Sequence, residues 1–398
     1  MRMMANFDEV VDRRGTSCLK YDFARERGLP EDALPFWVAD MDFRTPQPVM
    51  DALVHHSLHG IFGYTDVKED YREVLSSWFR SRHGWEPDMK TLVITPGVVF
   101  AICTAIRSLT EAGDAVLICP PAYYPFSAAV RENRRKLVES PLVLREGQQG
   151  ELTYEIDFED FENKIRENQV KLFLLCSPHN PVGRVWRMEE LARIGEICRR
   201  HQVIVVADEI HQDFVRAPFR HTVFASLSSE IDDLAITCTS PSKTFNLAGL
   251  QISHVFIKND KLRQRFRREL SAAGYSQPNA LGLFAAKAAY SQGVPWLNEL
   301  LAYLEENLRR TREFLAERLP KVRLVEPEGT YLLWLDFSRY GLTDKELEEI
   351  IIQKGRLWLD GGHIFGAGGE GFQRINMACP WSMLEEGLTR LEKCFGRG

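Results

Sequence analysis

Five short apolar runs recur through the middle of this chain: AVLIC (115–119), KLFLLC (171–176), VIVVA (203–207), LAITC (234–238) and ISHVFI (252–257). Each is continuous rather than alternating, which is how a strand covered on both faces reads. Helical periodicity accompanies them, at 98–111 before the first run, 188–201 between the second and third, and 261–273 after the last. Such alternation predicts an α/β fold, a mostly parallel sheet flanked by helices. Ligands of these sheets collect at the carboxyl ends of the strands. Here those ends carry polar or unusual residues at 120–124, 177–180, 208–211 and 240–243, so four segments are expected to meet along one rim.

At 398 residues the chain is too long for one small core. Its texture changes after about residue 292. An amphipathic stretch at 295–318 precedes VRLVEPEGTYLLWLDF (322–337), which reads as two strands around a Glu-Gly turn. A helix at 343–354, a glycine-rich loop, a strand at 372–377 and a helix at 382–395 follow. The expected organisation is a large domain, 46–292, and a smaller α+β domain formed by 1–45 with 293–398.

Composition narrows the function. A net charge of -6 with no long Lys/Arg run argues against a nucleic-acid partner. No apolar stretch reaches membrane-spanning length, and the charged first residues lack the apolar segment of a signal peptide. The eight cysteines are scattered without a CxxC pair, as expected of free thiols in a reducing cytoplasm and not of metal ligands.

The most chemical segment of the rim is TSPSKTFNLAGLQ (239–251), where a buried strand ends in Ser240, Ser242 and Lys243. A lysine held there by rigid backbone can lose its proton when desolvated and attack a carbonyl to give a Schiff base. A surface lysine beside a helix cap is the plainer reading of SxSK taken alone. Asp208 closes VIVVA, where a carboxylate is costly unless it meets a cation or several donors; a structural salt bridge competes with a ligand role. Asn180 in HNPVGR (179–184) sits in what could be an ordinary turn. Tyr123 and Tyr124 bring aromatic faces to the rim, as packing or as a platform for a flat heteroaromatic ligand. A Pro-Gly turn at Gly97 enters a helix at Val98, whose free N–H groups suit an anion. A reactive carbonyl, a flat ring and an anionic arm on one molecule describe pyridoxal 5'-phosphate (PLP).

With its parts in the order TPG, PAYY, HNPVG, DEIH, SPSK and RIN, the chain resembles fold-type-I PLP-dependent enzymes of the class I/II aminotransferase family over nearly its whole length. FWVADMDF (36–43), FGYT (62–65), SPHNPVGRVW (177–186), DEIHQDF (208–214), PSKTFNLAGLQ (241–251) and FQRINMACP (372–380) resemble the carbon–sulfur β-lyase subgroup, which holds bacterial cystathionine β-lyases and cystalysin-like cysteine desulfhydrases. The resemblance implies Lys243 as the Schiff-base lysine, Asp208 beside the pyridine nitrogen and Tyr123 stacked on the ring, these three being the expected catalytic residues. It implies Asn180 at the ring hydroxyl, and Gly97, Val98, Ser240 and Ser242 around the phosphate. Arg374 would grip the substrate carboxylate as a bidentate fork, with Trp37, Ala39 and Tyr124 beside the substrate. Tyr64 resembles a tyrosine that reaches the neighbouring subunit's phosphate, which implies a homodimer with composite active sites. Two cofactor-side positions depart from the wider family: Gln251 stands where many relatives carry an arginine, and His211 where many carry a tyrosine. Both departures resemble the lyase subgroup. The implied reaction is β-elimination from cystathionine or cysteine-type substrates to thiol, pyruvate and ammonia. The alternatives are an aminotransferase working on an amino acid/2-oxo acid pair, and a PLP-bound regulatory protein acting through its surface.

Two other motifs are set aside. GAGGEG (366–371) spells GxGxxG but follows no buried strand and leads into a strand, so it reads as a flexible loop bordering the pocket and not a dinucleotide site. HHSLH (55–59) offers an i, i+4 histidine pair with no third ligand, and is expected on a partly exposed helix face.

Overall fold

The computed structural model describes residues 5–148 and 150–396. Its centre is a seven-stranded sheet: β1 (Leu92–Thr95), β2 (Ala115–Ile118), β3 (Lys136–Glu139), β4 (Leu172–Cys176), β5 (Ile204–Asp208), β6 (Ala235–Thr239) and β7 (Ser253–Phe256). The spatial order is β1-β7-β6-β5-β4-β2-β3, and β7 alone runs against the rest. All five expected runs are strands. The two additional strands left weak signals: β1 is short, and β3 is a half-exposed edge whose KLVE alternates.

Each sheet face is buried under apolar side chains. Val116, Leu172, Leu174, Val206 and Ile236 pack with helix Val98–Leu109 on one side. Leu117, Phe173, Leu175, Val205 and Ala235 join a larger core that continues into the C-terminal part. Burying one such aliphatic side chain is worth roughly 1.5–3 kcal/mol, which explains why the runs do not alternate. The helices follow the expected ranges closely. Helix Asp260–Ala272, for example, starts where the Asn259 side chain accepts from the backbone N–H groups of Lys261 and Leu262.

Register decides where the chemistry sits. Cys176 pairs with Asp208, Asp208 with Cys238, Thr239 with His254, and Ser253 with Thr95. The residues following β1, β2, β4, β5 and β6 therefore share one edge of the sheet.

A second, antiparallel sheet has the order β8-β9-β11-β10, from β8 (Arg323–Leu324), β9 (Leu332–Asp336), β10 (Asp360–Gly361) and β11 (Phe372–Asn376). The expected tight Glu-Gly turn between its first two strands is instead a docking loop. Glu328 accepts from Arg184 Nε at 2.9 Å and from the Val185 N–H at 2.8 Å, and the Gly329 N–H donates to Gly183 O. A Cβ on Gly329 would lie 2.8 Å from Phe214 O, so only glycine lets the loop approach this closely. The loop of GAGGEG is likewise packed and not loose: a Cβ on Gly369 would lie 2.1 Å from Gly362 O. The helix expected at 343–354 is α-helical at Asp344–Glu349 and continues as a π turn, Ile350–Lys354. We propose the division at 45/46 and 292/293 because each sheet is drawn wholly from one side of it.

The N-terminal segment joins the second sheet's side of the molecule, where Leu34–Pro35 pairs in parallel with Leu357–Trp358. Residues 36–43 then run as a strap between the two sheets. Asn376 Nδ2 donates to Val38 O and Asp40 O, while Asn246, three residues past Lys243, bonds Met41 N, Met41 O and Phe43 O. A buried ion cluster fixes the strap: Lys20 Nζ meets Asp42 at 2.6 Å and Asp40 at 3.5 Å, and Arg13 bridges both carboxylates. Lys20 and Asp42 are each 1% exposed at the side chain. Burial alone would discharge Lys20, but the two carboxylates hold its pKa above the ordinary lysine value.

Among the described residues no helix is long and apolar enough to cross a membrane. His56 stacks on Phe284, and no group of three or more His, Cys, Asp or Glu among the described residues is placed to hold a metal.

The ion cluster generates a test. Lys20→Met strands part of a buried negative charge and is expected to destabilise the protein by about 3 kcal/mol. A clearly lowered Tm checks this, and an unchanged Tm would mean the strap is held by its backbone bonds alone.

Candidate active site

Lys243 lies in a single helical turn, Pro241–Thr244, that follows β6 directly. Ser240 starts the turn by accepting the Ser242 N–H at 3.0 Å, and its Oγ lies 2.7 Å from both Ser242 Oγ and Ile252 O. Thr244 Oγ1 donates to buried Asp213 at 2.7 Å, and Asn246 ties the far end to the strap. The backbone on both sides of Lys243 is thus fixed. Its Nζ donates to the carbonyl of Ala39 in the strap. Burial is the main cause that lowers the Lys243 pKa to about 8, helped by the Arg374 charge and opposed by Asp40 and Asp208.

Asp208 ends β5 at 4% exposure, and among the described residues its carboxylate accepts one hydrogen bond, from the Ile210 N–H at 3.2 Å. Desolvation raises its pKa to about 7 against the opposing pull of that N–H and of Lys243. The two groups perturb each other, yet among the described residues they form no ion pair within 4.0 Å. A buried carboxylate with a single donor, set slightly apart from a lysine of lowered pKa, fits a cationic ring that carries a carbonyl.

The neighbours complete the walls. His211 is buried; desolvation, then the charges of Lys243 and Arg374, keep it neutral, and its Nδ1 has no partner among the described residues. Its ring meets Tyr331 edge-on at 5.7 Å, and Tyr331 OH donates to the same Ala39 carbonyl as Lys243. Tyr123 feels Arg374 and Asp208 electrostatically, burial raises its pKa, and its ring lies 5.5 Å from that of Tyr124. The segment carrying both tyrosines is anchored by His179 Nε2 at 2.8 Å from Pro121 O and by the Ala122 N–H donating to Phe365 O.

Arg374 occupies β11, an inner strand of the second sheet, and reaches across to the segment after β4 of the first. Nη1 donates to Asn180 Oδ1 at 3.0 Å, and Nη2 to Trp37 O at 2.7 Å and to the Asp360 carboxylate. The guanidinium expected to grip the substrate carboxylate as a bidentate fork is thus partly engaged by Asp360. Arg374 Nε, by contrast, is buried without a partner among the described residues, so the guanidinium retains donor capacity for an anion. Asp360 itself is pulled upward in pKa by burial and held down by Arg374.

The phosphate-side residues come to the same rim. Gly97 and Val98 open helix Val98–Leu109, and a Cβ on Gly97 would meet nothing within 4 Å. Thr95 Oγ1 lies 2.6 Å from Ser253 Oγ, which keeps this helix end beside Ser240 across β7. Backbone N–H groups at a helix start, together with two hydroxyls, suit an anionic group. The Gln251 side chain is exposed and has no hydrogen-bond partner among the described residues, although its backbone adjoins Ser240. Tyr64 is 94% exposed.

Lys243, Asp208, Tyr123, Tyr124, Asn180, His211 and Arg374 thus come together, with Trp37 and Ala39 joining them through their backbone carbonyls. Sequence reasoning missed Asp360 and Tyr331. Asp360 follows LWL in a two-residue strand with no motif around it. Tyr331 lay in a segment read as a plain strand, and the left-handed Thr330 that turns it inward, φ 64°, leaves no compositional mark.

With the geometry established, comparison with known proteins is informative. The family described as "Aminotransferase class I and II" matches residues 32–391. Cystathionine beta-lyase PatB of Bacillus subtilis (strain 168) is 44% identical over 387 residues, 97% of this chain and 99% of that protein. A PLP-bound putative aminotransferase from Clostridium difficile 630 superposes with a TM-score of 0.94 at 43% identity, covering 98% of this chain and 100% of the other. Cystalysin from Treponema denticola, whose crystal structure contains a pyridoxal 5'-phosphate cofactor, also gives a TM-score of 0.94, at 36% identity over 98% and 99% of the two chains. The chain belongs to the class I and II aminotransferase family.

Proposed function

We propose that this protein is a PLP-dependent carbon–sulfur β-lyase, cleaving cystathionine or a related S-substituted cysteine to thiol, pyruvate and ammonia. The observation that carries the reading is the pairing of a lysine of pKa about 8 with a buried carboxylate of pKa about 7 on one rim. The full-length likeness to a protein named cystathionine beta-lyase supports the choice of reaction.

In this reading Asp208 and Asn180 hold the ring edge, Tyr123 covers its face, and Gly97, Val98, Ser240 and Ser242 hold the phosphate. Bound there, PLP supplies a sink for the electron pair left at the substrate Cα. Arg374 takes the substrate carboxylate with its uncommitted donors and fixes the orientation of the Cα–H bond. Asp208, once beside a ring cation, is stabilised as the anion and keeps that nitrogen protonated. Lys243 removes the Cα proton as general base. The proton it then carries is the one that a thiolate leaving Cβ requires. His211 stays neutral and adds no repulsion to the lysine. Trp37, Ala39 and Tyr124 form the wall nearest the substrate.

A homodimer is part of the proposal. Leu58, Ile61, Phe62 and Tyr64 form an apolar stretch, each more than three-fifths exposed on a single chain. An exposed run of that kind suits a partner surface and brings Tyr64 to the neighbouring phosphate site.

Three experiments test the reading. Purified protein supplied with PLP and L-cystathionine is expected to release thiol and pyruvate in equal amounts with no 2-oxo acid added. Turnover that stops after one equivalent until 2-oxoglutarate is supplied would make it an aminotransferase. Lys243→Ala is expected to lower thiol release by roughly 10³-fold, and full retention would move the chemistry elsewhere. The pH dependence follows from the lysine. The attacking amine must be neutral, so PLP capture by apoprotein is expected to rise with pH and level off above about 8. Below that point the rate should fall about tenfold per pH unit. A rise continuing to the ordinary lysine range would mean that Lys243 is not desolvated.

A further inference from the structure

A cation outside the reaction centre lies within electrostatic range of two of its residues, Asp360 and Tyr124. Arg27 ends the short turn Arg25–Arg27, and its guanidinium lies 4.5 Å over the ring of Trp37 and 5.4 Å from the ring of Trp358. The two indoles stack at 4.6 Å and 14°. Both are buried, while Arg27 is exposed and makes no side-chain hydrogen bond or ion pair among the described residues. Trp37 Nε1 is also buried without a partner.

This platform is connected to the carboxylate-binding arginine. The Trp37 backbone carbonyl holds Arg374, and Trp358 lies two residues before Asp360, which pairs with Arg374. Asp360 and Tyr124 both feel the Arg27 charge. An arginine braced on aromatic faces is pre-organised, keeps its donors open and loses little rotamer entropy on meeting a carboxylate.

We propose that Arg27, on its Trp37–Trp358 platform, is a specificity-determining residue that binds a second, distal carboxylate on the substituent at the substrate's Cβ. This inference rests on the lyase reading for the identity of the bond broken. It adds a preference: substrates whose leaving thiol ends in a carboxylate are selected over short S-alkyl cysteines. Arg27 touches neither the cofactor site nor Cα, so its effect falls on binding and not on the chemical step.

The test compares L-cystathionine with S-methyl-L-cysteine, which shares the scissile Cβ–S bond but has no second carboxylate. PLP-loaded wild type, Arg27→Met and Arg27→Lys are titrated with each, following both the visible absorbance of the bound cofactor and the thiol released. Met keeps the apolar stem over the indoles and removes the charge. In Arg27→Met the kcat/KM ratio of L-cystathionine to S-methyl-L-cysteine is expected to fall about tenfold, mainly through KM. Arg27→Lys is expected to recover part of the preference. A ratio unchanged within about twofold would reduce Arg27 to a cover for the tryptophan faces and overturn the proposal. The absorbance titration separates the two readings. If Arg27→Met abolishes tighter binding of L-cystathionine while no protein releases thiol, the lyase reading fails and the distal subsite stands.

Discussion

A carboxylate sealed at the end of a parallel strand is the constraint around which this molecule is organised. Asp208 cannot be cheaply ionised where it sits, because one backbone N–H is a poor substitute for water. The fold leaves it in electrostatic range of Lys243 without letting the two collapse into a salt bridge. That separation comes from the backbone. Register aligns the ends of β5 and β6, and Ser240, Thr244 and Asn246 then fix the turn that carries the lysine. The Ala39 carbonyl draws Nζ toward the strap. Burial pushes the two pKa values toward each other, to about 7 and about 8, and leaves both groups responsive near neutrality.

The strap is the second structural theme. Residues 36–43 supply an acceptor for Lys243 and Tyr331 through Ala39 and an acceptor for Arg374 through Trp37. One segment therefore sets the placement of Lys243 relative to Arg374, which come from different sheets. Its own position depends on Lys20 and Arg13, whose charges neutralise Asp40 and Asp42. Such a cluster adds little net stability over an apolar core, but breaking it leaves uncompensated charge, so it favours one geometry.

Much of this was legible in the chain. Continuous apolar runs identify buried strands because the hydrophobic effect is indifferent to which face is covered. The rim residues follow, since strand ends in a parallel sheet share one side. Lys243 and Asp208 stood out as unusual residues at the ends of apolar runs, whereas Asn180, in a stretch that reads as an ordinary turn, was picked out by the motif resemblance. Asp360 could not: a carboxylate after LWL in a two-residue strand becomes meaningful only when β10 pairs with β11 and sets it beside Arg374. Tyr331 depends on a loop docked by Glu328 onto Arg184, 144 residues away in sequence. The strap's work is done by backbone carbonyls, which every residue has, so composition cannot reveal it. The motif resemblance pointed to Trp37 and Ala39, but only the fold shows that their main-chain oxygens carry the contacts.

The central claim is that Lys243 is the residue covalently joined to the cofactor. Borohydride reduction of PLP-loaded protein, followed by peptide mass mapping, tests this most directly. The account requires a single pyridoxyl adduct on the peptide bearing Lys243. An adduct on another lysine, or label spread over several, would contradict it.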